Sequence, residues 1–362
     1  MKKSKVCVYA ISKNEEKFAE RWFNSMKEAD EIYVLDTGSE DNTVDILKKL
    51  GVKVKVEKIE PWRFDVARNK SLDMVSEDAD ICICTDLDEV FESGWRKKLE
   101  EKFQGYDRLR YNYIWSFDKY GNPGVNFYQE KIHKRKGYTW INPVHEILKC
   151  DLKNEKIITS DEITLKHYPD DNKSRGSYLG LLELAVKENP NNDRNMHYLG
   201  REYMYYGKYN ESIGTLKKHL NIKSATWKDE RCASLRFISR CYRFLKDYDN
   251  AKKYGILAIS EAPYLREPYY ELACAYYDLE EFDYCKLYLE LALLIEENKK
   301  VYINEVNCYN GTIEDILSLC YYYTNDFNKS LEYVNKALEI DPDNERIQNN
   351  KKLILDKINY KD

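Results

Sequence analysis

The 362-residue chain is predicted to hold two domains, an α/β domain built on a parallel sheet and then an all-α domain of helical repeats. Three observations predict this organisation. Short apolar strands alternate with helical patterns over the first third of the chain. One of these strands ends in Asp86-Leu87-Asp88. From about Ser174 onward, one helix-pair pattern recurs four times. We place the domains at residues 1–170 and 171–362.

Apolar periodicity and end signals predict the elements of the first domain. Four strands are predicted, at 6–11, 31–35, 52–56 and 80–85. Three helices connect them, at 15–29, 41–50 and 65–75. Ligands of a parallel sheet bind beyond the carboxyl ends of its strands. We therefore expect the polar segments 11–14, 36–39 and 86–89 to meet at one edge.

The pattern changes to antiparallel strands between residue 109 and about residue 166. Strands are predicted at 110–115, 131–135 and 157–167, with a turn at 121–124. Trp115 and Trp140 could offer flat faces to a sugar or peptide, although large aromatics in such segments more often pack in a core. His133, inside the basic run 131–136, is expected to be a solvated strand residue.

The helical part places small residues where paired helices touch and aromatics between them. Each copy begins with an apolar residue followed by a small one, at Leu199-Gly200, Ile238-Ser239, Leu272-Ala273 and Leu317-Ser318. The intervals are irregular, with longer connections predicted at 222–229 and 296–312. This pattern resembles the tetratricopeptide repeat.

Composition limits the classes of partner and compartment. The formal net charge of -5 argues against a nucleic-acid partner, because phosphate binding needs a basic surface. The ten cysteines are scattered without a Cys-x-x-Cys pair, which disfavours zinc and disulfides and favours a reducing compartment. The apolar run at 6–11 is too short for a signal peptide, and no run reaches membrane-spanning length. We expect a cytoplasmic protein without a membrane span.

The Asp-x-Asp at the end of a buried strand carries the chemical prediction. Two carboxylates placed there can hold one hard divalent cation, with open positions left for phosphate oxygens. The pattern therefore favours an enzyme that handles a nucleotide diphosphate, against the alternative of a solvated acidic turn. An aspartyl nucleophile of the haloacid dehalogenase type is disfavoured, because that motif normally lies on the first strand and continues with Thr or Ser.

Four segments in order carry a resemblance to a known family. They are residues 10–16, 36–43, 62–69 and 86–89. Together they resemble a family-2 glycosyltransferase domain of the GT-A type, which is Rossmann-like. Val144-His145-Glu146 and His167-Tyr168 match the branch of that family that carries tetratricopeptide repeats. The sublancin-type peptide S-glycosyltransferases are similar in architecture.

The resemblance implies a uridine nucleotide site. Asp36 would accept a hydrogen bond from the uracil edge, and Arg68 would reach the diphosphate. The remaining nucleotide contacts are expected from Ile11, Asn14, Thr37, Asp86 and Leu87. Each main candidate has a structural alternative: an Asx turn for Asp36, a helix N-cap for Asn14 and a surface salt bridge for Arg68.

The resemblance also implies the metal and the base. Asp86 and Asp88 would hold Mn²⁺ or Mg²⁺ on the two phosphates, with His167 as third ligand or, alternatively, an ordinary loop histidine. Glu146 is the predicted general base and His145 its alternative. Adjacent strand residues face opposite sides, so only one of the two is expected to face the cleft. The linking segment 170–175, with Lys173 and Arg175, could cover the phosphates or simply join the domains.

The expected activity is inverting hexosyl or N-acetylhexosaminyl transfer from a UDP-sugar to a peptide or protein side chain. A saccharide acceptor and an inactive repeat scaffold that binds peptides are the alternatives. The helical repeats would bind the polypeptide acceptor or mediate homo-oligomerisation.

Overall fold

The computed structural model describes residues 4–117, 121–170, 178–295 and 304–359. The chain divides into two compact units, residues 1–187 and 188–362. The division falls later than residue 170 because helix α5 (Tyr178–Glu188) begins with contacts to the first unit. The Tyr178 ring lies 5.9 Å from Phe64 and 5.8 Å from His145. Residues 171–177, which include Lys173 and Arg175, lie outside the described residues.

Ten strands lie in the described part of the first unit. They are β1 (Val6–Ser12), β2 (Glu31–Asp36), β3 (Lys53–Val56), β4 (Ile81–Thr85), β5 (Glu89–Phe91), β6 (Arg108–Ile114), β7 (Asn126–Lys134), β8 (Tyr138–Ile141), β9 (Ile147–Cys150) and β10 (Ile157–His167). Eight form one sheet in the order β3-β2-β1-β4-β7-β6-β10-β5, and β8 pairs with β9 as a separate hairpin. The adjacent strands β3, β2, β1 and β4 all run parallel, and β7 pairs with β4 in the antiparallel direction. The predicted α/β class is confirmed.

Four helices cover the sheet: α1 (Glu16–Met26), α2 (Thr43–Lys49), α3 (Phe64–Asp73) and α4 (Trp95–Lys102). Successive residues of a strand face opposite sides. Val8 of β1 accordingly packs in one core with α1, α2 and α4, whereas Tyr9 packs in a second core with α3 and the β8–β9 hairpin. The sheet is therefore buried on both faces, as the continuous apolar strands require.

The prediction of a solvated His133 is wrong. The side chain is fully buried on β7, where Nε2 lies 2.8 Å from the Tyr9 hydroxyl and Nδ1 lies 2.7 Å from the Lys134 carbonyl oxygen. Trp140 is also in this core, and its indole N–H donates to the Tyr9 hydroxyl at 2.9 Å. The charged residues on both sides of His133 suggested exposure to solvent, but β7 turns the His133 side chain into the second core.

The second unit is an array of helices. They are α6 (Asp193–Tyr205), α7 (Tyr209–Asn221), α8 (Lys228–Phe244), α9 (Tyr248–Glu261), α10 (Glu267–Asp278), α11 (Phe282–Leu293), α12 (Thr312–Tyr323), α13 (Phe327–Ile340) and α14 (Glu345–Asn359). α6 to α13 form four successive pairs, which confirms the predicted repeat architecture. None of the described helices is long and apolar enough to cross a membrane.

In three of the four helix pairs, a hydrogen bond between small residues joins the two helices. The Ser212 hydroxyl donates to the Gly200 carbonyl at 2.7 Å, and the Ser239 hydroxyl donates to the Ala251 carbonyl at 2.7 Å. The Ser330 hydroxyl donates to the Ser318 carbonyl at 2.8 Å. A Cβ on Gly200 would lie 2.5 Å from the Leu216 side chain, so the helices approach too closely there for a larger residue.

Candidate active site

The first two predicted loops meet at the carboxyl ends of β1 and β2. Ser12 and Asp36 are register partners at the ends of these parallel strands. The Ser12 hydroxyl donates to Asp36 at 2.8 Å, and the Thr37 backbone N–H donates to the Ser12 carbonyl at 2.8 Å. β4 lies on the other side of β1, so the loop that begins at Asp86 leaves the same edge of the sheet.

The Asp36 carboxylate is fully buried and holds its own loop together. One oxygen accepts the backbone N–H groups of Gly38 (3.0 Å) and Ser39 (2.8 Å). The other accepts the hydroxyls of Ser12 (2.8 Å) and Ser39 (2.5 Å). Four donors fill the acceptor positions of a carboxylate. The Asx-turn alternative is therefore present, and a uracil contact by Asp36 would require one serine hydroxyl to turn away.

The other predicted nucleotide residues occupy different environments. Asn14 does not cap α1: its side-chain oxygen accepts from the Glu40 backbone N–H at 2.8 Å, and Glu15 is the N-cap residue. Ile11 packs at the rim of a small core. Thr37 and Leu87 are buried, and Leu87 lies in the main core, so its side chain faces away from the edge where ligands bind.

Arg68 of α3 connects two acidic residues that are distant in sequence. Its Nε donates to Glu146 at 2.5 Å, and its Nη2 donates to the two oxygens of Asp86 at 2.8 and 3.1 Å. The Arg68 side chain is only 4% exposed, so its salt bridge is buried and is not the surface salt bridge considered as the alternative. Breaking a buried pair leaves an uncompensated charge, so these three groups act as a unit.

Lys131 and Glu89 complete the charged cluster, and both were missed from the sequence. The Lys131 ammonium on β7 lies 3.2 Å from Asp86 and 3.4 Å from Glu89. Burial raises the pKa of Asp86, but Arg68 and Lys131 outweigh it and hold that pKa well below its ordinary value. Burial raises the pKa of Glu89 above its ordinary value. Strand alternation could not reveal Lys131, since it shares a strand face with His133, which was itself expected to be solvated.

His167 and Asp88 face one another at the end of β10. Nε2 of His167 lies 3.4 Å from the Asp88 carboxylate, and Nδ1 lies 3.0 Å from the Trp115 carbonyl oxygen. The Trp115 ring stacks on the imidazole at 4.3 Å and remains 38% exposed. Burial lowers the pKa of His167, but the Asp88 contact outweighs it and the pKa is raised. His167 is a strand-end residue, not an ordinary loop histidine.

Asp88 and His167 fit a divalent cation. A carbonyl can only accept, so Nδ1 carries the proton when the ring is neutral and Nε2 presents its lone pair beside Asp88. An imidazole and a carboxylate suit Mn²⁺. Within the described ranges, no three His, Cys, Asp or Glu side chains form a group that could hold a metal ion. Asp86 instead contacts Arg68 and Lys131, and its role as a ligand stays a prediction.

Glu146 and His145 are not on a strand. They lie in a bend that precedes β9, and His145 has a φ of 50°. The expectation of opposite strand faces is therefore wrong, because left-handed backbone turns the chain between the two residues. The Glu146 side chain is 11% exposed, and one of its oxygens contacts Arg68. The His145 ring lies against Tyr178.

Family models match a segment in each of the two units. Residues 7–151 match the family Glycosyl transferase family 2, and residues 315–344 match the Tetratricopeptide repeat family. Both resemblances drawn from the motifs are thus confirmed.

Curated relatives match about a third of the chain. An uncharacterized glycosyltransferase of Rickettsia bellii (strain RML369-C) is 33% identical over 108 residues, which are 30% of this chain and 35% of the relative. An uncharacterized glycosyltransferase of Rickettsia typhi (strain ATCC VR-144 / Wilmington) is also 33% identical, over 30% of this chain and 36% of the relative. The chain thus spans about a third of the length of these relatives.

Solved structures match a little under half of the chain. A crystal structure of MamA protein is 20% identical and covers 45% of this chain and 81% of its own, with a TM-score of 0.37. YrrB, a TPR protein with an unusual peptide-binding site, is 15% identical and covers 49% of this chain and 83% of its own, with a TM-score of 0.38.

Proposed function

We propose that this chain, whose residues 7–151 match glycosyl transferase family 2, is a metal-dependent inverting glycosyltransferase that transfers a sugar from a UDP-sugar to a peptide or protein side chain. One observation carries the proposal. Asp86 and Asp88 lie in the same loop at the carboxyl end of β4. Asp88 pairs with His167, and Asp86 pairs with Arg68, which also contacts Glu146. The Asp88–His167 pair suits binding of the donor diphosphate, and the Asp86–Arg68–Glu146 set suits proton transfer from the acceptor.

The donor side consists of charges held in fixed positions. Asp88 and His167 would hold Mn²⁺ or Mg²⁺, which offsets the negative charge that develops on a departing nucleoside diphosphate. Arg68 and Lys131 add two fixed positive charges beside Asp86. Charges that are already oriented need no reorganisation during the reaction, so they stabilise a developing charge efficiently.

The acceptor side depends on Glu146. One carboxylate oxygen is engaged by Arg68, which holds the side chain in a single orientation. The other oxygen would accept the proton of the acceptor nucleophile as that nucleophile attacks the anomeric carbon. The bond from the anomeric carbon to the diphosphate oxygen breaks, and its electron pair leaves with UDP.

A polypeptide acceptor is proposed because the chain joins this site to a tetratricopeptide array. Repeat arrays present extended surfaces that suit peptide segments. A saccharide acceptor remains the alternative within the same chemistry, and an inactive peptide-binding scaffold is the alternative outside it.

The test is the release of UDP from a panel of UDP-sugars, measured with Mn²⁺ and again with EDTA. Wild-type protein should hydrolyse or transfer at least one donor only when the cation is present. Asp88→Asn should lose the cation-dependent rate and remain folded by circular dichroism. Asp45→Asn, on the exposed face of α2, is the matched control and should behave as wild type. An equal rate in EDTA, or an undiminished rate in Asp88→Asn, would contradict metal dependence, and no turnover of any donor would favour the scaffold.

A further inference from the structure

The connection between α11 and α12 contacts helices that belong to earlier repeats. Its described part begins at residue 304 and contains a short 3₁₀ helix, Val306–Cys308. Glu305 lies against α8, and Cys308 is buried. The connections α7–α8 and α9–α10 are shorter and lie between neighbouring helices. Pairing of adjacent helices therefore does not require a connection that reaches this far.

Two arginines of α8 hold the Glu305 carboxylate from both sides. Arg236 Nη1 donates to one oxygen at 2.6 Å, and Arg240 Nη2 donates to the other at 2.7 Å. The two residues are four apart and so share one face of the helix. Charge-assisted hydrogen bonds to both oxygens of a carboxylate are the strong and directional kind. The pKa of Glu305 falls to about 2, because the two arginines outweigh the effect of burial.

Further contacts fix the backbone of the same segment. The Glu305 N–H donates to Glu267 of α10 at 3.2 Å. Arg266 donates to the Cys308 carbonyl at 3.2 Å, and its guanidinium lies 5.0 Å from the centre of the Tyr309 ring. The segment is thus held as a bound peptide would be, by a side-chain anchor, a backbone hydrogen bond and a ring contact.

The arginine site retains unused bonding capacity. Arg236 is 2% exposed, yet its Nε has no hydrogen-bond partner in the described part of the chain, and neither does Oε2 of Glu267. Glu305 is the one acidic residue within ion-pair distance of Arg236 among the described residues. The Glu305 and Arg240 side chains are 22% and 17% exposed, so solvent reaches this contact. A ligand with more acceptors than Glu305 would satisfy the one donor, Nε of Arg236, that is now unpaired.

We propose that Arg236 and Arg240 form a binding site for an acidic side chain of a partner peptide, and that residues 304–309 occupy this site as an internal ligand. Clusters of arginine are a recurrent way to recognise acidic peptide motifs. Occupation by the chain's own segment lowers the apparent affinity for a partner by the fraction of time that the site is open. Peptide binding at this site does not depend on the sugar transfer proposed for the first unit.

The test uses the full chain and a fluorescent peptide with the sequence of residues 304–309, in which Cys308→Ser prevents oxidation. Glu305→Gln protein should bind the peptide at least about tenfold more tightly than wild type, because its internal ligand has lost the anchoring charge. Glu211→Gln, on an exposed position of α7, is the matched control and should bind as wild type. A peptide that carries Glu305→Gln should bind Glu305→Gln protein at least about tenfold more weakly than the acidic peptide.

A second measurement covers the case in which Glu305→Gln protein does not fold. Hydrogen exchange of residues 304–309 in wild-type protein should speed up at saturating peptide, because displacement breaks the Tyr309 N–H bond to the Val306 carbonyl. Equal peptide binding by folded Glu305→Gln and wild-type protein would overturn the proposal. Unchanged exchange at saturating peptide would overturn it as well, and Glu305 would then be a structural ion-pair partner alone.

Discussion

Arg68 joins Asp86 to Glu146, since a single guanidinium contacts both carboxylates. Removing either carboxylate leaves more of the positive charge to the other. A substitution of Asp86 or Glu146 therefore changes the electrostatic environment of the other carboxylate without movement of the backbone. At the scale of single residues, the site is a set of shared charges in which no member can be altered in isolation.

Glu146→Gln is expected to lower kcat for sugar transfer by a factor of about 10² to 10⁴, because the amide cannot accept the acceptor proton. The KM for the UDP-sugar should change less than kcat, since Glu146 is assigned to the acceptor side and reaches the donor side only through Arg68. Initial rates of UDP release over a range of donor concentrations measure both values. Glu20→Gln, exposed on α1, is the control. An unaltered kcat would remove Glu146 from its proposed role.

His133 should make the first unit less stable in acid. Burial lowers its pKa to about 3, below the ordinary value of 6.5, so between these values the unfolded chain binds a proton that the folded chain does not. The stabilisation is complete above pH 6.5 and is lost progressively as pH falls toward 3, by about 2 kcal/mol at pH 5.

His133→Gln should therefore lose less stability than wild type between pH 7.5 and pH 5, although it is less stable at both. Urea unfolding at the two pH values gives the comparison. An identical decrease in both proteins would show that His133 does not titrate in this way.

The turn inside each helix pair uses the same unusual backbone. Gly207, Lys246, Glu280 and Asn325 each lie shortly before the second helix and have φ values of 71°, 60°, 58° and 62°. Only one of the four is glycine, the residue that adopts this conformation without strain. For a side chain with a Cβ the left-handed region costs about 1–2 kcal/mol. Three repeats therefore carry a small strain that the first one avoids.

Glu280→Gly should raise the free energy of unfolding by about 0.5–1 kcal/mol, because it removes this strain at an exposed position. Glu281→Gly, one residue later with a φ of −80°, should lower it and serves as the matched control. Thermal unfolding of the two variants beside wild type makes the comparison. A destabilised Glu280→Gly protein would mean that the side chain contributes more than the strain costs.

Sequence patterns predicted some elements well and others poorly, for identifiable reasons. β1 and β4 were predicted because buried parallel strands are continuous apolar runs. β5 and the β8–β9 hairpin are only three or four residues long and carry no periodicity of their own. Lys131 was missed because a charged run suggests solvent, and only the fold brings it to Asp86. The pairing of Asp88 with His167 was anticipated from the family resemblance, whereas the link from Arg68 to Glu146 was not.

The molecule consists of two compact units, and each has its own group of charged side chains. The first contains the charged cluster at the sheet edge, and the second contains the arginine site of α8. Each unit has its own hydrophobic clusters. Ligands of one unit can therefore be sought by stability measurements on the whole chain, since binding to the folded state raises its apparent stability by mass action.

UDP together with Mn²⁺ should raise the melting temperature of the full chain, with a stabilisation of about 2.7 kcal/mol at a concentration one hundred times Kd. Asp88→Asn should keep the shift caused by UDP alone and lose the additional shift caused by Mn²⁺. A thermal-shift panel of nucleotides, each with and without Mn²⁺, makes this comparison and also shows whether uridine is preferred. A larger shift with another base would contradict the UDP assignment.

The joined small residues described for the repeats bear on how such a chain can change in length. Gly200 and Ser212, Ser239 and Ala251, and Ser318 and Ser330 are each separated by the same number of positions, even though the stretches between repeats differ. These contacts lie inside one helix pair. Gene duplication or deletion of a whole pair would therefore add or remove one repeat and leave the contacts inside the other pairs unchanged. The array could thus be resized in evolution while the first unit stays as it is.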